Sequence, residues 1–451
     1  MRVSSLIKKK RMKNNQLLKN IFSLGSVQLV NYVFPLITVP YVSRIIGPDS
    51  YGIINYATAF IAYFTLLIGY GFDLTGTRKI ARNPDDNHYV STVFSQILNA
   101  RILLFFVSCL LFVLSVLFVG PLKQNTYVTV TLFISTISSV LVPQYIYQGK
   151  QQLSIFSILN FLKGLINTIL IFVLIQHKED YIILPTLNVV LGLLSSVFLL
   201  VYACKKFNLK FRWVKLKNSF RLLLDEKVIF ISTVVISLYT TTNTVVLGFF
   251  ASAADVGFFT VSISLLNVIN SVISVPFSTA FFPFIGNAFG KSRETGLEVI
   301  RKIFPIISYL TFFAGLTLYI FAPFIIELFY GSQFHKAILS FRIMAFAPFV
   351  ISMSNVFGIQ TMLNLNMDKT FFRATATASI LGLLLNIAMS KFYGYIGTAW
   401  NTIIIETFVS AYMYFLLRRN NIEVFEKKYF SPKFVLTFLK SASSRSNKFD
   451  K

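Results

Sequence analysis

The stretch that decides the fold is Ile21–Arg82, IFSLGSVQLVNYVFPLITVPYVSRIIGPDSYGIINYATAFIAYFTLLIGYGFDLTGTRKIAR. It contains two long apolar segments, which are joined by the turn at Ile46–Gly52 and are followed by Asp73 and Arg78. A helix that crosses a lipid bilayer needs about 20 mainly apolar residues. Each segment reaches that length with almost no charge, so the stretch predicts the first helical hairpin of a polytopic membrane protein.

The composition of the whole chain indicates that lipid covers much of its surface. Of its 451 residues, 55% are hydrophobic and 13% are charged, and the mean hydropathy is +0.68. A folded soluble chain still leaves about a quarter of its surface in water, which this composition cannot cover with polar groups. The net charge of +25 would indicate nucleic-acid binding in a soluble protein. Here the cations lie in short links between apolar segments, so we expect no nucleic-acid partner.

The cysteines and histidines indicate neither a disulfide framework nor a metal site. Cys109 and Cys204 are far apart in sequence, and His88, His177 and His335 each lie in a different predicted link. No metal-binding spacing results. The basic N-terminus precedes an apolar run about twice as long as the core of a cleavable signal peptide, and we expect it to be retained. We also expect no catalytic residues and no bound cofactor.

Twelve apolar segments are long enough to cross a membrane. We predict spans at Ile21–Ile46, Tyr51–Leu74, Val90–Val119, Tyr127–Tyr147, Leu153–Ile175, Tyr181–Ala203, Val228–Phe250, Val256–Ile285, Ile303–Leu328, Ile338–Leu363, Thr370–Tyr393 and Ile396–Leu417. The longest link, at 205–227, divides them into two sets of six. We therefore expect six-helix bundles at 21–204 and 228–417, with basic segments at 1–20, 205–227 and 418–451.

Lysine and arginine predict the orientation, because cytoplasmic links are enriched in them. Cations are concentrated in the N-terminal tail, in every second link and in the tail from Arg418, and they are sparse in the intervening links. Both termini are therefore predicted to be cytoplasmic. In the central link, cations alternate with Phe211, Trp213 and Leu216, which suits a segment lying on an anionic leaflet. The tail at 427–440 has a similar pattern, for which membrane-surface binding and disorder are equal alternatives.

A weak internal repeat supports the division into halves. Ser43–Gly52 follows span one, and the similar Gly248–Gly257 follows span seven, each with an aspartate and then a glycine before two bulky apolar residues. Transporters are often built from such repeats, with the ligand site between the halves.

Small and polar residues form stripes on five spans, at helical spacing. Gln28 and Asn31 belong to the stripe of span one, Thr240 and Thr244 to that of span seven, and Asn267 to that of span eight. Close packing of helices through small residues explains a single stripe. Five stripes placed in both halves favour a cavity lined by hydroxyl and amide groups. Prolines at 35, 40, 276, 283, 305, 323 and 348 predict kinks, whose alternative role is simple bending around neighbouring helices.

Charged residues inside the spans are the remaining candidates for function, because charge in a bilayer is costly. Lys163 lies about midway along span five on a face with Asn160, and it could bind an anionic group such as a phosphate. Arg101, Arg342 and Arg44 lie nearer to the ends of their spans. For the last two, anchoring to lipid head groups is an equal alternative.

The acidic residues within the spans are Asp73 and Glu406. Each could bind and release a coupling ion, H⁺ or Na⁺. Each could equally form an ion pair, with Arg78 or Arg101 as the partner.

Several of these motifs resemble one known family. The first hairpin, with its Tyr41–Gly52 and Gly69–Arg82 motifs, resembles bacterial polysaccharide flippases of the Wzx type, which translocate O-antigen or capsule units. These belong to the multidrug/oligosaccharidyl-lipid/polysaccharide exporter superfamily. Glu327–Gly331 and Tyr393–Gly397, the latter followed by Glu406, resemble the corresponding links of the second half. Asp73 departs from the family pattern, which often has Asn at this position.

The resemblance implies a MATE-like, all-α fold of two six-helix bundles around a central cavity in the bacterial inner membrane. It implies that the cargo is an undecaprenyl-pyrophosphate-linked oligosaccharide, and that a polysaccharide polymerase and other assembly proteins are partners. Lys163, Arg101 and Arg342 would then bind the pyrophosphate, and the polar stripes would contact sugar hydroxyls.

Three other functions compete with this one. An ion-coupled exporter of drugs or small molecules would be expected to have an acidic cavity, whereas the deepest charge here is a cation. A polymerase or glycosyltransferase usually carries a large external loop or a soluble catalytic domain, and neither is evident. A purely structural membrane protein would not need charges within its spans.

Overall fold

A computed structural model shows a chain that is almost entirely helical. The structure describes the backbone of residues 2–431 and 434, and the side chains of 33–235, 237, 241–273, 281–431 and 434. No β-strand occurs in the described residues. The α-helices are α1 (Arg2–Gly69), α2 (Phe72–Arg82), α3 (Asn87–Phe118), α4 (Gly120–Gln124), α5 (Thr126–Ile134), α6 (Thr136–Leu141), α7 (Gln144–Gly149), α8 (Ser154–Leu174), α9 (Ile183–Lys206), α10 (Leu216–Thr240), α11 (Thr242–Phe250), α12 (Ala253–Lys291), α13 (Arg293–Tyr330), α14 (Ala337–Met344), α15 (Ala347–Asn355) and α16 (Asp368–Arg419). Short 3₁₀ turns lie at Lys178–Ile182, Ser332–Phe334 and Lys427–Phe430.

The prediction of an all-α polytopic membrane protein is confirmed. Nine stretches of the described residues are long and apolar enough to cross a membrane. Two of them, Val33–Arg82 and Asp368–Arg419, each contain two predicted spans, so the nine account for eleven of the twelve. Large apolar side chains are exposed along these helices, as lipid contact requires. Examples are Leu110, Leu117, Phe118, Ile158, Ile169, Leu194, Phe313, Phe324, Ile380 and Leu384.

Glycine makes the turn in each of the two double-span stretches. Gly47 (φ 75°) interrupts α1, and Gly394 (φ 55°) interrupts α16. Residues with a Cβ are strained at such positive φ values. By contrast, α1 passes through Pro35 and Pro40 without leaving helical torsions. The predicted kinks at these two prolines are therefore not breaks in the helix.

Breaks occur instead within predicted spans four and ten. Span four is divided into α5, α6 and α7, with the last break at Val142–Pro143. Span ten is divided into α14, α15 and a π-helix at Val356–Met362. Single π-helical turns are frequent at functional sites, and this one buries the Gln360 side chain completely.

The chain forms two compact units. The first comprises Met1–Ser237 with Ser252–Gly257, and the second comprises Leu238–Ala251 with Phe258–Lys451. A buried cluster from α2, α3, α7 and α9 forms one core of the first unit, and the Tyr147 hydroxyl donates a hydrogen bond (2.6 Å) across it to the Leu199 carbonyl. Gly76 allows α2 to approach the Tyr145 ring closely, since a Cβ there would lie 2.9 Å from that ring.

The core of the second unit includes the beginning of the predicted C-terminal tail. Ile422 and Val424 are buried in it beside helices α13 and α16. Arg301 donates a hydrogen bond from Nε to the Glu423 carbonyl (2.7 Å), and the Tyr309 hydroxyl donates to the Phe430 carbonyl (2.8 Å). Residues 420–430 are therefore an integral part of this unit; we call them the C-terminal strap. The other residues of the predicted 427–440 segment, apart from 431 and 434, lie outside the described residues.

Candidate functional site

In the first unit, Asp73 pairs with Arg101. Arg101 Nη2 donates to Asp73 Oδ1 at 2.9 Å, and Nη1 donates to the Val142 carbonyl at 2.8 Å. The arginine side chain is 3% exposed, whereas that of Asp73 is 45% exposed. The Tyr145 ring packs against the guanidinium, 5.4 Å from its centroid. Of the two partners considered for Asp73, Arg78 and Arg101, the structure thus shows Arg101.

The helix break at Pro143 explains why Arg101 is needed here. Helix α6 ends at Leu141, and the carbonyl of the next residue, Val142, would be unfavourable without a partner at this partly buried position. Arg101 satisfies this carbonyl and the carboxylate together, so it joins α2, α3 and the link between α6 and α7. The arrangement indicates a structural role for this cation.

We expect Arg101→Met to destabilise the protein by about 3 kcal/mol, because removing one partner of a buried pair leaves the other groups unsatisfied. Asp73→Asn should cost much less, since asparagine retains an acceptor oxygen and the position is half exposed. Thermal unfolding of the purified variants measures both changes. If Arg101→Met unfolds like the wild type but loses transport, Arg101 acts on the cargo instead.

Lys163 lies midway along the 21-residue helix α8. It is half-buried and forms no hydrogen bond or ion pair with the residues that the structure describes. Asn160 lies one turn before it and donates to the Phe156 carbonyl. On the following turn, Asn167 Oδ1 and Thr168 Oγ1 are buried and have no partner among the described residues. Lys163, which has no partner among the described residues, thus lies within about one helical turn of several polar side chains.

The other predicted binding residues do not join this group in any described contact. Gln28 and Asn31 lie outside the residues whose side chains are described. Arg44 is exposed beside the Gly47 turn, and Asn267 is exposed on α12. Arg342 donates a hydrogen bond to the Tyr319 carbonyl (3.3 Å) and stacks on the Tyr319 ring. This arrangement favours the alternative that Arg342 anchors its helix to lipid head groups.

In the second unit, a polar network centres on Asn243 at the start of α11. Asn243 Nδ2 donates to Thr402 Oγ1 (3.3 Å), and its Oδ1 accepts a hydrogen bond from Asn401 Nδ2 (3.2 Å). Asn386 Nδ2 donates to the Asn243 carbonyl at 3.5 Å, and Asn386 Oδ1 accepts from Ser390. Buried polar networks of this kind fix the helices that carry them.

A small cavity adjoins this network. It has a volume of about 30 Å³ and is lined by Asn243, Ser379, Gly382, Asn401, Thr402, Ile405 and Glu406. A single water-sized particle needs about 10–15 Å³, so the cavity has room for one small ion. Asn401 Oδ1 is buried without a partner among the described residues. Hard cations prefer such oxygen ligands, and Glu406 supplies a carboxylate.

Glu406 was predicted from the sequence, but Asn243 and Asn401 were not. The signal was available, because Asn243 directly follows a run of three threonines, Thr240–Thr242, inside an apolar span. The predicted stripe of span seven instead followed Thr240 and Thr244. In fact α10 ends at Thr240 and α11 begins at Thr242, which changes the helical register at this point.

Comparison with known proteins shows the family of this chain. Residues 17–289, well over half of it, match the family model of the polysaccharide biosynthesis proteins. The chain belongs to this family. Two relatives, from Escherichia coli (strain K12) and Shigella dysenteriae, are each named "Putative O-antigen transporter". The first is 28% identical over 407 residues, which cover 90% of this chain and 98% of the relative. The second is 23% identical over 395 residues, 88% of this chain and 98% of the relative.

Solved structures place this polysaccharide biosynthesis protein in a known transporter fold. The lipid II flippase MurJ in an inward closed conformation has a TM-score of 0.66 at 16% identity, and the alignment covers 94% of this chain and 91% of MurJ. An inward-facing multidrug resistance MATE transporter of the MOP superfamily has a TM-score of 0.63 at 13% identity, covering 89% and 98%. The predicted MATE-like fold is confirmed.

Proposed function

We propose that this protein is a flippase that moves undecaprenyl-pyrophosphate-linked oligosaccharide repeat units across the bacterial inner membrane by alternating access. The observation that carries the proposal is the similarity to the two relatives named as O-antigen transporters, over about nine-tenths of this chain and 98% of each relative. Both termini face the cytoplasm in this proposal, and the units are delivered outward to a polysaccharide polymerase and other assembly proteins.

Lys163 in α8, a cation without a partner in the described part of the chain, supports a cargo with a negative head group. A lysine at the centre of a spanning helix costs about 2.5–3.5 kcal/mol on insertion scales. A diphosphate would compensate that cost by charge-assisted hydrogen bonds. Asn160, Asn167 and Thr168 provide amide and hydroxyl groups of the kind that bind sugar hydroxyls. The polyprenyl chain can remain in the lipid.

The cavity at Glu406 supports ion coupling. Its carboxylate and amide oxygens could bind Na⁺, and the carboxylate could instead bind H⁺. The helices α11 and α16 both contribute to the cavity, so an ion bound there would connect them through Asn243 and Thr402. We assign the coupling role to Glu406 rather than to Asp73, because Glu406 lines this cavity together with the amides of Asn243 and Asn401.

Reconstitution tests the function. Proteoliposomes that contain the protein and a fluorescent undecaprenyl-pyrophosphate-linked sugar should move that lipid between leaflets, faster when a Na⁺ or H⁺ gradient is applied.

Glu406→Gln should slow gradient-driven movement at least tenfold, because the variant lacks the charge that binds the ion. Thr407→Ala on the next position of α16, which is exposed, is the control. If Glu406→Gln moves the lipid at the wild-type rate, the coupling ion does not bind in this cavity. If the wild-type protein moves no lipid, the flippase function is contradicted.

The alternative is an ion-coupled exporter of small molecules, which the MATE structure favours at the level of the fold alone. The same proteoliposomes separate the two functions. An exporter would move a cationic dye and leave the lipid-linked sugar in place.

A further inference from the structure

We propose that a basic groove on the first unit captures the diphosphate–sugar head group of the lipid-linked cargo before transport. The groove lies between the first turns of α3 and the segment 208–221, and we call it the linker groove. The inference rests on the proposed function, which supplies the chemistry of the cargo. It assigns a binding site to a segment that the sequence marked only as basic and amphipathic.

The linker is fixed to α3 by hydrogen bonds of its backbone. Lys210 N–H donates to Ser91 Oγ (3.2 Å), and Arg212 N–H donates to Ser95 Oγ (3.1 Å). One turn further, Asn99 Nδ2 donates to the Arg212 carbonyl at 3.1 Å. The three side chains are spaced four residues apart and so lie on one face of the helix. These hydrogen bonds fix the segment against α3 as one side of the groove. An amphipathic segment that only lay on the membrane would not have such partners.

The groove is large and strongly positive. Its volume is about 990 Å³. Five cations line it, and no acidic residue does so in the described part of the chain. The cations are Lys210, Arg212, Lys215, Lys217 and Arg221. Helix α10 also begins here, at Leu216, and the partial positive charge of a helix N-terminus favours anions. The N-terminus of α3 contributes less, because Asp86 already accepts hydrogen bonds from its first amides.

The uncharged lining favours a sugar diphosphate over an ordinary phospholipid. Amide and hydroxyl side chains share the walls with the cations; they are Asn87, Ser91, Thr92, Ser95, Gln96, Asn208 and Asn218. Trp213 also lines the groove and is 77% exposed. Sugars bind through hydroxyl hydrogen bonds and through packing of their C–H faces on aromatic rings. A phospholipid head group needs neither the extra volume nor these amides, whereas a diphosphate with its first sugars can use both.

Exposed apolar residues beside the groove explain how a lipid would reach it. Leu216, Phe220 and Leu224 on α10 are 65%, 55% and 63% exposed. Apolar side chains next to cations are typical of segments at an anionic membrane surface. The head group of a membrane-embedded lipid can therefore enter the groove while its hydrocarbon chain stays in the bilayer.

The two tryptophans of the chain allow a direct test. In the Trp400→Phe variant, Trp213 is the single tryptophan, so its emission reports occupancy of the groove. This protein would be placed in phosphatidylcholine nanodiscs and titrated with undecaprenyl diphosphate carrying one N-acetylhexosamine. Binding to the whole protein would be measured in parallel by native mass spectrometry. Phosphatidylglycerol is the competing lipid.

We expect the emission of Trp213 to change on titration, and the triple variant Lys215→Gln, Lys217→Gln, Arg221→Gln to bind on the order of 100-fold more weakly. This corresponds to about fivefold for each charge near a phosphate. The matched control removes three exposed cations outside the groove, by Arg82→Gln, Lys205→Gln and Lys227→Gln, and should bind like the wild type. A variant with Lys215→Arg, Lys217→Arg and Arg221→Lys should also retain binding, because it keeps all three positive charges.

The remaining outcomes each overturn the inference. Equal weakening in both glutamine variants would indicate a general charge effect, and equal competition by phosphatidylglycerol would indicate an ordinary anionic-lipid site. Binding detected by mass spectrometry without a change at Trp213 would place the lipid elsewhere and leave the flippase intact. No binding by either method would contradict the groove and the proposed cargo together.

Discussion

Replacing Lys163 by alanine is expected to abolish surface polysaccharide in a complementation assay while the amount of protein in the membrane stays normal. The lysine lies at the middle of α8 and has no partner among the described residues, so its removal leaves no protein group unsatisfied there. Stability should therefore stay the same or rise, because the cost of holding a charge in the membrane disappears. Transport would be lost because the diphosphate of the cargo would have no positive charge to bind along its path.

Two control variants make this expectation specific. Lys163→Arg keeps the charge and should retain part of the activity, although the guanidinium has a different shape. Lys123→Ala removes an exposed cation from a short link and should have no effect. Full polysaccharide production by Lys163→Ala, at normal protein level, would show that this cation is not needed for transport.

The second large effect is expected at the two glycines of the internal repeat. The first repeat turn and the Ser252–Gly257 part of the second lie in the first unit, and the structure brings them into contact with each other. A Cβ at Gly52 would overlap the Ala253 carbonyl, and a Cβ at Gly257 would overlap the Pro48 carbonyl. Backbone atoms cannot move away as a flexible side chain can. We therefore expect Gly52→Val and Gly257→Val to destabilise this contact by at least about 1–3 kcal/mol, as overpacking does.

Thermal unfolding and a transport assay would measure this effect together. Gly290→Ala is the matched control, because nothing lies within 4 Å of the added Cβ and alanine is a better helix former than glycine. A wild-type unfolding midpoint in both valine variants would show that the two turns do not depend on this close approach. Since the approach is reciprocal, the two variants should behave alike.

The sequence predicted the helices well, because every membrane-spanning helix must be apolar over its whole length. The turn at Gly47–Pro48 was also predictable, since glycine followed by proline ends a helix and starts another. The helix breaks at Ser135 and in the π-helix at Val356–Met362 were not. They depend on packing between helices, such as the buried Gln360, which leaves no mark on hydropathy.

The candidate sites were predicted in part, for a related reason. Lys163, Asp73 and Glu406 were identified because charge in an apolar span is rare. Whether such a charge is paired is a matter of distance, and only the structure shows that Arg101 contacts Asp73. The amides of Asn243 and Asn401 carry no charge, so they did not stand out from the other polar residues of the spans.

The C-terminal strap has a consequence for biosynthesis. Ile422 and Val424 are buried in the core of the second unit, and the Phe430 carbonyl accepts a hydrogen bond from the Tyr309 hydroxyl. Among the described residues these are the last of that core to leave the ribosome, so the second unit cannot complete its packing until translation has passed Phe430. A chain truncated after Leu417 would keep its last membrane helix and yet expose apolar core surface to the quality-control proteases of the cell. A topology reporter therefore belongs after Phe430, where it leaves the strap in place.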